Sequence, residues 1–236
     1  MIPVSSRRKT KILPLMNLLL ISFNLIVFLY ELILPDRQLT QLLYTWGTVP
    51  NNILAGFADP VSSTGLTWAP LVTAQFLHAG WFHLIGNMLF LWVFGNSLEE
   101  ALGMYFYLLF YVICGVMAGL VWVFVEGSST RPAIGASGAI SGILGAYLIL
   151  FPWSRIRILL PAILLVIPID VPALIVLGWW FVQQFFYGMA VLSTTASDGI
   201  AYWAHIGGFV AGLIFILPLI PLVRYRQYEE RYYQSY

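Results

Sequence analysis

Long apolar runs dominate this sequence and restrict the folds that it can adopt. Mean hydropathy is +0.87, and only 9% of the 236 residues are charged, whereas about 25% is usual for soluble globular proteins. A helix needs about 20 apolar residues to cross the hydrocarbon core of a bilayer. Six segments have or approach that length: residues 15–34, 81–98, 104–125, 137–151, 171–190 and 201–222. The sequence therefore predicts an all-α polytopic membrane protein with six transmembrane helices.

The basic residues predict how these helices are oriented. With the N-terminus in the cytoplasm and six spans, nine of the eleven basic residues lie inside, as the positive-inside rule expects. The nine are Arg7, Arg8, Lys9, Lys11, Arg155, Arg157, Arg224, Arg226 and Arg231. We therefore expect a cytoplasmic N-terminal segment at 1–14, a six-helix membrane-embedded domain at 15–222 and a cytoplasmic tail at 223–236.

Two apolar stretches need separate interpretation. The first run follows a basic N-terminus, but its length of about 20 residues predicts a transmembrane helix rather than a signal peptide. Residues 156–170 are apolar too, yet Pro161, Pro168 and Pro172 interrupt any helix there. We predict an interfacial loop for this stretch, leading into the fifth span.

Four polar side chains on three of the predicted spans reach a similar depth. At about 1.5 Å per residue, Ser137 and His205 each lie roughly 27 to 28 Å above the arginine that follows their span. By the same count His83 lies roughly 24 Å above Glu99, and Asn87 is one turn deeper. The fourth span is short, so Ser137 begins it below the outer surface. The preceding loop must then be shielded by protein or line a wet cavity.

Each of these residues also has an ordinary structural interpretation. A serine in a membrane helix usually bonds its own backbone one turn back, and this is the favoured interpretation of Ser141. His83 and Asn87 share one helix face, where polar pairs often join helices. Small residues form a stripe on the fourth span and another on the sixth, which predicts close packing of these two helices. The stripes are Gly138, Ser141, Gly142 and Gly145, and Ala204, Gly208, Ala211 and Gly212.

Close approach of those two spans would allow nucleophilic catalysis. A serine hydroxyl needs an adjacent base, and a neutral imidazole suits this role near pH 7. We predict a dyad of Ser137 and His205, with Asp198 a weak candidate for a third member. Attack on an amide creates an oxyanion that needs preorganised donors. The Ser137 backbone N–H, the Asn87 amide and the His83 ring are the candidates.

Other chemistries fit the sequence less well. The segment "HLIGN" at 83–87 lacks the glutamate and second histidine of a zinc protease helix. No pair of aspartates lies deep in two spans, and Ala139 breaks the soluble nucleophile-elbow pattern. Cys114 lies in an apolar run and is interpreted as a packing residue. We therefore expect no metal ion and no cofactor, and the small net charge of +1 gives no indication of a nucleic-acid partner.

Three segments resemble the rhomboid intramembrane serine proteases. These are "FLHAGWFHLIGNMLFLWVFGNSLEEALG" at 76–103, "GASG" at 135–138 and "AHIGGFVAG" at 204–212. The resemblance implies a six-helix core with an outward-open wet cavity and a Ser137–His205 dyad. It also implies that His83, Asn87 and the Ser137 amide are oxyanion donors. Ser141 stands where many relatives carry an aromatic residue that packs near the histidine.

The expected partners are the lipid bilayer and single-span membrane proteins cleaved within or beside their transmembrane segments. Two alternatives remain open: a catalytically inactive relative that binds membrane clients, and a transporter or channel lined by these polar groups. The polar groups cluster near one membrane face, which disfavours transport. A bacterial-type plasma membrane is the expected location.

Overall fold

The computed structural model describes residues 2–8, 10–59, 64–162, 165–192 and 200–233. These residues form a mostly helical protein with one small sheet. The helices are α1 (Leu15–Ile33), α2 (Asp36–Trp46), α3 (Pro50–Ala58), α4 (Gly65–Trp68), α5 (Pro70–Thr73), α6 (Trp81–Phe90), α7 (Asn96–Leu102), α8 (Met104–Val125), α9 (Ser137–Leu150), α10 (Ala173–Leu192), α11 (Tyr202–Ile216) and α12 (Ile220–Tyr233). Short 3₁₀ segments cover Ala74–Phe76 and Leu217–Leu219, and a π-helical turn, Leu91–Gly95, joins α6 to α7.

Helices α8, α9 and α11 form the centre of the bundle, and each packs against the other two. Glycines allow α9 and α11 to approach until backbone touches backbone. A Cβ atom on Gly208 would meet the carbonyl group of Gly138, and one on Gly212 would meet that of Gly142. The packing predicted from the two small-residue stripes is therefore present.

Cys114 and Ala118 of α8 pack against the same two glycines of α9, Gly142 and Gly138. Both side chains are fully or almost fully buried, and they occupy the space that a Cβ on Gly142 or Gly138 would need. The interpretation of Cys114 as a packing residue agrees with this position.

The prediction of an interfacial loop over residues 156–170 is wrong. Strands β2 (Arg155–Ala162) and β3 (Leu165–Pro172) form an antiparallel hairpin, and β1 (Ile2–Ser6) pairs with the other edge of β2. The protein is therefore mostly helical rather than all-α. The prolines that exclude a helix are tolerated in this sheet, because Pro168 and Pro172 lie on its edge strand and Pro161 lies beyond the residues that pair with β1.

Helix length alone accounts for fewer than six spans. Among the described residues, four helices are long and apolar enough to cross a membrane: Leu15–Ile33, Met104–Val125, Ala173–Leu192 and Tyr202–Arg226. A fifth is counted if the pair Gly65–Phe76 and Trp81–Leu102, bent by 82°, makes one span. Helix α9 has only 14 residues, or about 21 Å. Its residues 138–147 are all buried among its neighbours.

Buried polar contacts fix the start of α1 against the segment that carries α6 and α7. The Glu99 carboxylate accepts hydrogen bonds from the backbone N–H groups of Met16 (2.9 Å) and Asn17 (2.7 Å). The Asn17 amide donates to the Leu91 carbonyl oxygen (2.9 Å) in the π-helical turn, and Tyr107 donates to the Asn17 amide oxygen (2.6 Å). Because Gly95 has no side chain, Asn17 and Tyr107 can reach this turn.

Candidate active site

One cavity brings together the four polar side chains that the sequence places at a similar depth. Its volume is about 450 Å³, and its lining includes His83 and Asn87 from α6, Ser137 from α9 and His205 from α11. Three separate helices therefore contribute polar groups to a space that is otherwise lined mainly by apolar side chains.

Ser137 and His205 are in hydrogen-bonding contact. Ser137 Oγ lies 2.8 Å from His205 Nε2 across the interface of α9 and α11. Both residues are half-buried and both line the cavity. Because the glycines hold these helices backbone to backbone, the imidazole can reach the hydroxyl of the first residue of α9.

The loop before Ser137 is held by backbone hydrogen bonds to the segment between α1 and α6. Thr48 and Ala133 exchange two of them, at 2.9 and 3.0 Å, and the Gly135 N–H donates to the Ala74 carbonyl oxygen at 2.8 Å. We expected this loop to be shielded by protein or to line a cavity, and residues 132–134 do line the cavity. Gly135 has a φ of +118°, a conformation that residues with a side chain rarely adopt. The backbone that leads into Ser137, the first residue of α9, is therefore held in place by these hydrogen bonds.

His83 and Asn87 lie beside Gly135, two residues before the serine. A Cβ on Gly135 would lie 2.6 Å from His83 Nε2 and 3.5 Å from Asn87 Nδ2. His83 and Asn87 do not pair with each other as the structural interpretation suggested. Instead Asn87 Nδ2 lies 3.0 Å from His78 Nε2, and the rings of His78 and His83 are in edge contact at 5.1 Å.

The neighbouring serine has the ordinary role predicted for it. Ser141 Oγ donates to the Ser137 carbonyl oxygen at 2.6 Å, which is a back-bond within α9. Asp198, the weak candidate for a third catalytic residue, lies outside the described residues.

Three residues near the site were missed by the sequence analysis. Gln184 Oε1 lies 2.8 Å from His205 Nδ1, and the Trp180 ring lies 6.0 Å from the His205 ring at an interplanar angle of 35°. His78 binds Asn87, as described above. The detectable signal was a polar pair, Gln183 and Gln184, inside the otherwise apolar fifth span. The contact of Gln184 with the histidine depends on how α10 packs against α11.

Comparison with known proteins identifies one family. The family model described as "Rhomboid domain" matches residues 65–222 of this chain. "Rhomboid-like protein 11, chloroplastic" of Arabidopsis thaliana is 30% identical over 159 residues, which cover 63% of this chain and 51% of that protein. "Putative rhomboid protease YdcA" of Bacillus subtilis (strain 168) is 30% identical over 132 residues, covering 54% of this chain and 66% of that protein.

The similarity to a mitochondrial protein extends over more of this chain. "Presenilin-associated rhomboid-like protein, mitochondrial" of Homo sapiens is 26% identical over 208 residues, which cover 84% of this chain and 46% of that protein. The chain thus spans between about half and two thirds of the length of these relatives. The family match and the membrane-length helices together indicate an integral membrane protein. Because the relatives include chloroplast, mitochondrial and bacterial proteins, they do not support a bacterial plasma membrane in particular.

Proposed function

The chain belongs to the rhomboid family, and on that premise we propose that it is an intramembrane serine endopeptidase with Ser137 as nucleophile and His205 as base. The observation that carries this proposal is the 2.8 Å separation of Ser137 Oγ and His205 Nε2 at the wall of a cavity. That distance lies within the reach expected between an activated hydroxyl and its general base.

In the proposed reaction, His205 Nε2 accepts the hydroxyl proton while Ser137 Oγ bonds to the substrate carbonyl carbon. The imidazolium then gives this proton to the leaving amide nitrogen as the C–N bond breaks. An acyl group remains on Ser137. Water attacks the acyl carbon and gives a proton to His205, which returns it to Ser137 Oγ as the new carboxyl terminus leaves.

The tetrahedral oxyanion would be stabilised by the Ser137 N–H, Asn87 Nδ2 and the His83 ring. The N–H group of the first residue of α9 has no partner within its own helix, and the helix dipole adds positive potential there. The contact between Asn87 and His78 is compatible with this role, because a primary amide carries two N–H groups. One can bind His78 Nε2 while the other points to the oxyanion.

The proposed substrates are single-span membrane proteins. The polar groups of the site are surrounded by large apolar side chains, among them Phe82, Phe90, Leu144 and Trp180. A lining of this kind suits an apolar polypeptide segment better than a soluble peptide rich in charge. A peptide bond in a helix is shielded, so the segment must unwind locally before its carbonyl carbon reaches Ser137.

We also propose that the domain spans the membrane six times, with residues 1–14 and 223–236 in the cytoplasm. Ser137 begins α9 and β2 follows the end of that helix, so the sheet lies at the opposite end from the serine. Arg7 and Arg155 meet there through a backbone hydrogen bond of 2.8 Å. Helix α9 is too short for a lipid-exposed span, but its burial within the bundle removes the need for full length.

The test uses purified protein in proteoliposomes with a single-span reporter and a serine-directed fluorophosphonate probe. Ser137→Ala should abolish both cleavage and labelling. Ser141→Ala is the matched control, because it removes a hydroxyl from the same helix one turn later. We expect Ser141→Ala to keep labelling and to stay within a few-fold of wild-type activity, since only the back-bond to Ser137 is lost.

Two outcomes would reject the proposal. Cleavage that persists in Ser137→Ala would assign the reaction to another group. Wild-type protein that binds the reporter with neither cleavage nor labelling would instead support an inactive, client-binding member of the family.

A further inference from the structure

The imidazole of His205 is held by a second polar contact that the dyad does not include. Gln184 Oε1 lies 2.8 Å from His205 Nδ1, on the side of the ring opposite the contact with Ser137. The glutamine side chain is only 9% exposed. A buried amide oxygen in a membrane helix is costly unless it is hydrogen-bonded, and the histidine supplies the partner.

This contact selects one of the two neutral forms of the ring. An amide oxygen can only accept a hydrogen bond, so Nδ1 must carry the proton when it faces Gln184 Oε1. Neutral imidazole has a single N–H group, and Nε2 is therefore left with a free lone pair. That lone pair faces Ser137 Oγ at 2.8 Å. The opposite tautomer would present N–H to the hydroxyl and could not accept its proton.

Helix α10 supplies a second support for the same ring. Trp180 and Gln184 are four residues apart and so share one face of the helix. The Trp180 ring lies against the His205 ring at 6.0 Å between centroids. The α9 position one turn after the nucleophile is occupied by Ser141, which bonds its own helix instead. The histidine is thus positioned from α10.

We propose that Gln184 is a positioning residue, an inference that rests on the proposed function. It orients His205 and fixes its catalytic tautomer by accepting the hydrogen bond from Nδ1. The hydrogen bond gains strength when the ring becomes positively charged in the transition state. Gln184 should therefore act on kcat rather than on KM. Because the acceptor is a neutral amide, its loss should cost less than the loss of about 10⁴-fold seen when an orienting carboxylate is replaced.

The experiment compares kcat and KM of four variants on a single-span reporter in proteoliposomes. Gln184→Met keeps the length of the side chain and removes the acceptor. We expect kcat to fall roughly 10- to 100-fold, as for a lost hydrogen bond to a charged group, with KM and thermal stability unchanged. Gln184→Glu restores an acceptor oxygen and should return kcat to within about threefold of wild type. Gln183→Met, one residue earlier and half-buried, is the matched control and should be neutral.

Ser137→Ala, measured in the same assay, separates this inference from the proposed function. If Ser137→Ala is inactive but Gln184→Met keeps wild-type kcat, Gln184 has no positioning role. Equal losses in Gln184→Met and Gln184→Glu would also overturn the inference, because packing would then explain the effect. If Ser137→Ala remains active, the serine mechanism itself is wrong.

Discussion

Gly135 shows why a single missing side chain can matter at this site. Its φ of +118° is unfavourable for any residue with a Cβ atom. The absent Cβ also leaves room for His83, whose Nε2 would lie 2.6 Å from it. The glycine two residues before the serine therefore permits both the backbone turn and the approach of a proposed oxyanion donor.

Gly135→Ala should lower cleavage activity by roughly 100- to 1,000-fold, the loss that follows removal of one oxyanion donor. The added methyl group would displace His83, and the strained φ would shift the Ser137 N–H. The measurement is kcat/KM on a single-span reporter. Gly65→Ala is the control, because a Cβ there has no neighbour within 4 Å. Wild-type activity in Gly135→Ala would show that His83 and the loop can move without loss of function.

At the scale of elements, the close contact of α9 and α11 sets the geometry of the dyad. Helix α9 carries Ser137 and helix α11 carries His205. Gly142 and Gly212 let the two backbones touch. A larger residue at this contact would separate the helices and so lengthen the distance between Ser137 Oγ and His205 Nε2.

Gly212→Ala should destabilise the bundle by about 1 to 3 kcal/mol, as expected for an overpacked core. The new Cβ would meet the carbonyl group of Gly142, which is backbone and cannot rotate away. Thermal unfolding in detergent measures the effect. Gly178→Ala in α10 has open space around its Cβ and should leave the midpoint unchanged. An unchanged midpoint in Gly212→Ala would mean that the helices can separate at no cost.

The sheet is a second element that links distant parts of the chain. Asp170 on β3 accepts hydrogen bonds from Arg157 Nε (3.0 Å) and Arg7 Nε (2.9 Å), so one carboxylate joins the hairpin to the N-terminal segment. These hydrogen bonds, first from Arg157 and then from Arg7, lower the pKa of Asp170 to about 2.

Asp170→Asn should loosen β1 while leaving the helical core intact. Since the pKa of the folded carboxyl lies below its ordinary value, the ion pairs contribute fully above about pH 4. They are lost as pH falls through about 2. Amide exchange of Ile2 and residues 4–6, corrected for intrinsic rates, should therefore be constant from pH 7 to pH 4 in the wild type and faster in the variant. Asp36→Asn on α2 is the control. Loss of protection between pH 7 and pH 5 would contradict the assignment.

At the scale of the whole molecule, four basic residues of the described chain lie at the end of the bundle opposite Ser137. Arg7 and Arg157 meet at Asp170, and Arg8 contacts Glu100. The Arg226 guanidinium lies against Gly103, at the turn before α8. These four arginines are among the nine basic residues that the orientation prediction uses.

Cysteine labelling in intact cells tests the proposed orientation. Trp153→Cys lies at the basic end and is exposed, so an impermeant maleimide should reach it only after the membrane is opened. Thr130→Cys is exposed in the loop before α9 and should react without opening. The natural Cys114 is buried and serves as the unreactive background. The reverse labelling pattern would place the serine on the cytoplasmic side.

The sequence alone predicted much of the architecture because hydropathy and small-residue spacing are local signals. The apolar runs located the four long apolar helices to within a few residues, and the stripes predicted which two helices touch. The prolines of residues 156–170 correctly excluded a helix. The sequence analysis missed the local hairpin of β2 and β3 that forms there. It could not reveal the third strand, because β1 lies at the start of the sequence and pairing between distant strands leaves no local pattern.

By itself, the sequence determined that the protein is embedded in a membrane and in which order its helices follow one another. It also identified the four polar residues that gather at one cavity. A bilayer imposes these features through length and polarity, which are properties of single segments. Only the tertiary structure decided that Gln184 and Trp180 reach His205 and that His78 binds Asn87. Those contacts depend on the rotation and separation of packed helices, and a residue's own neighbours in the chain do not specify them.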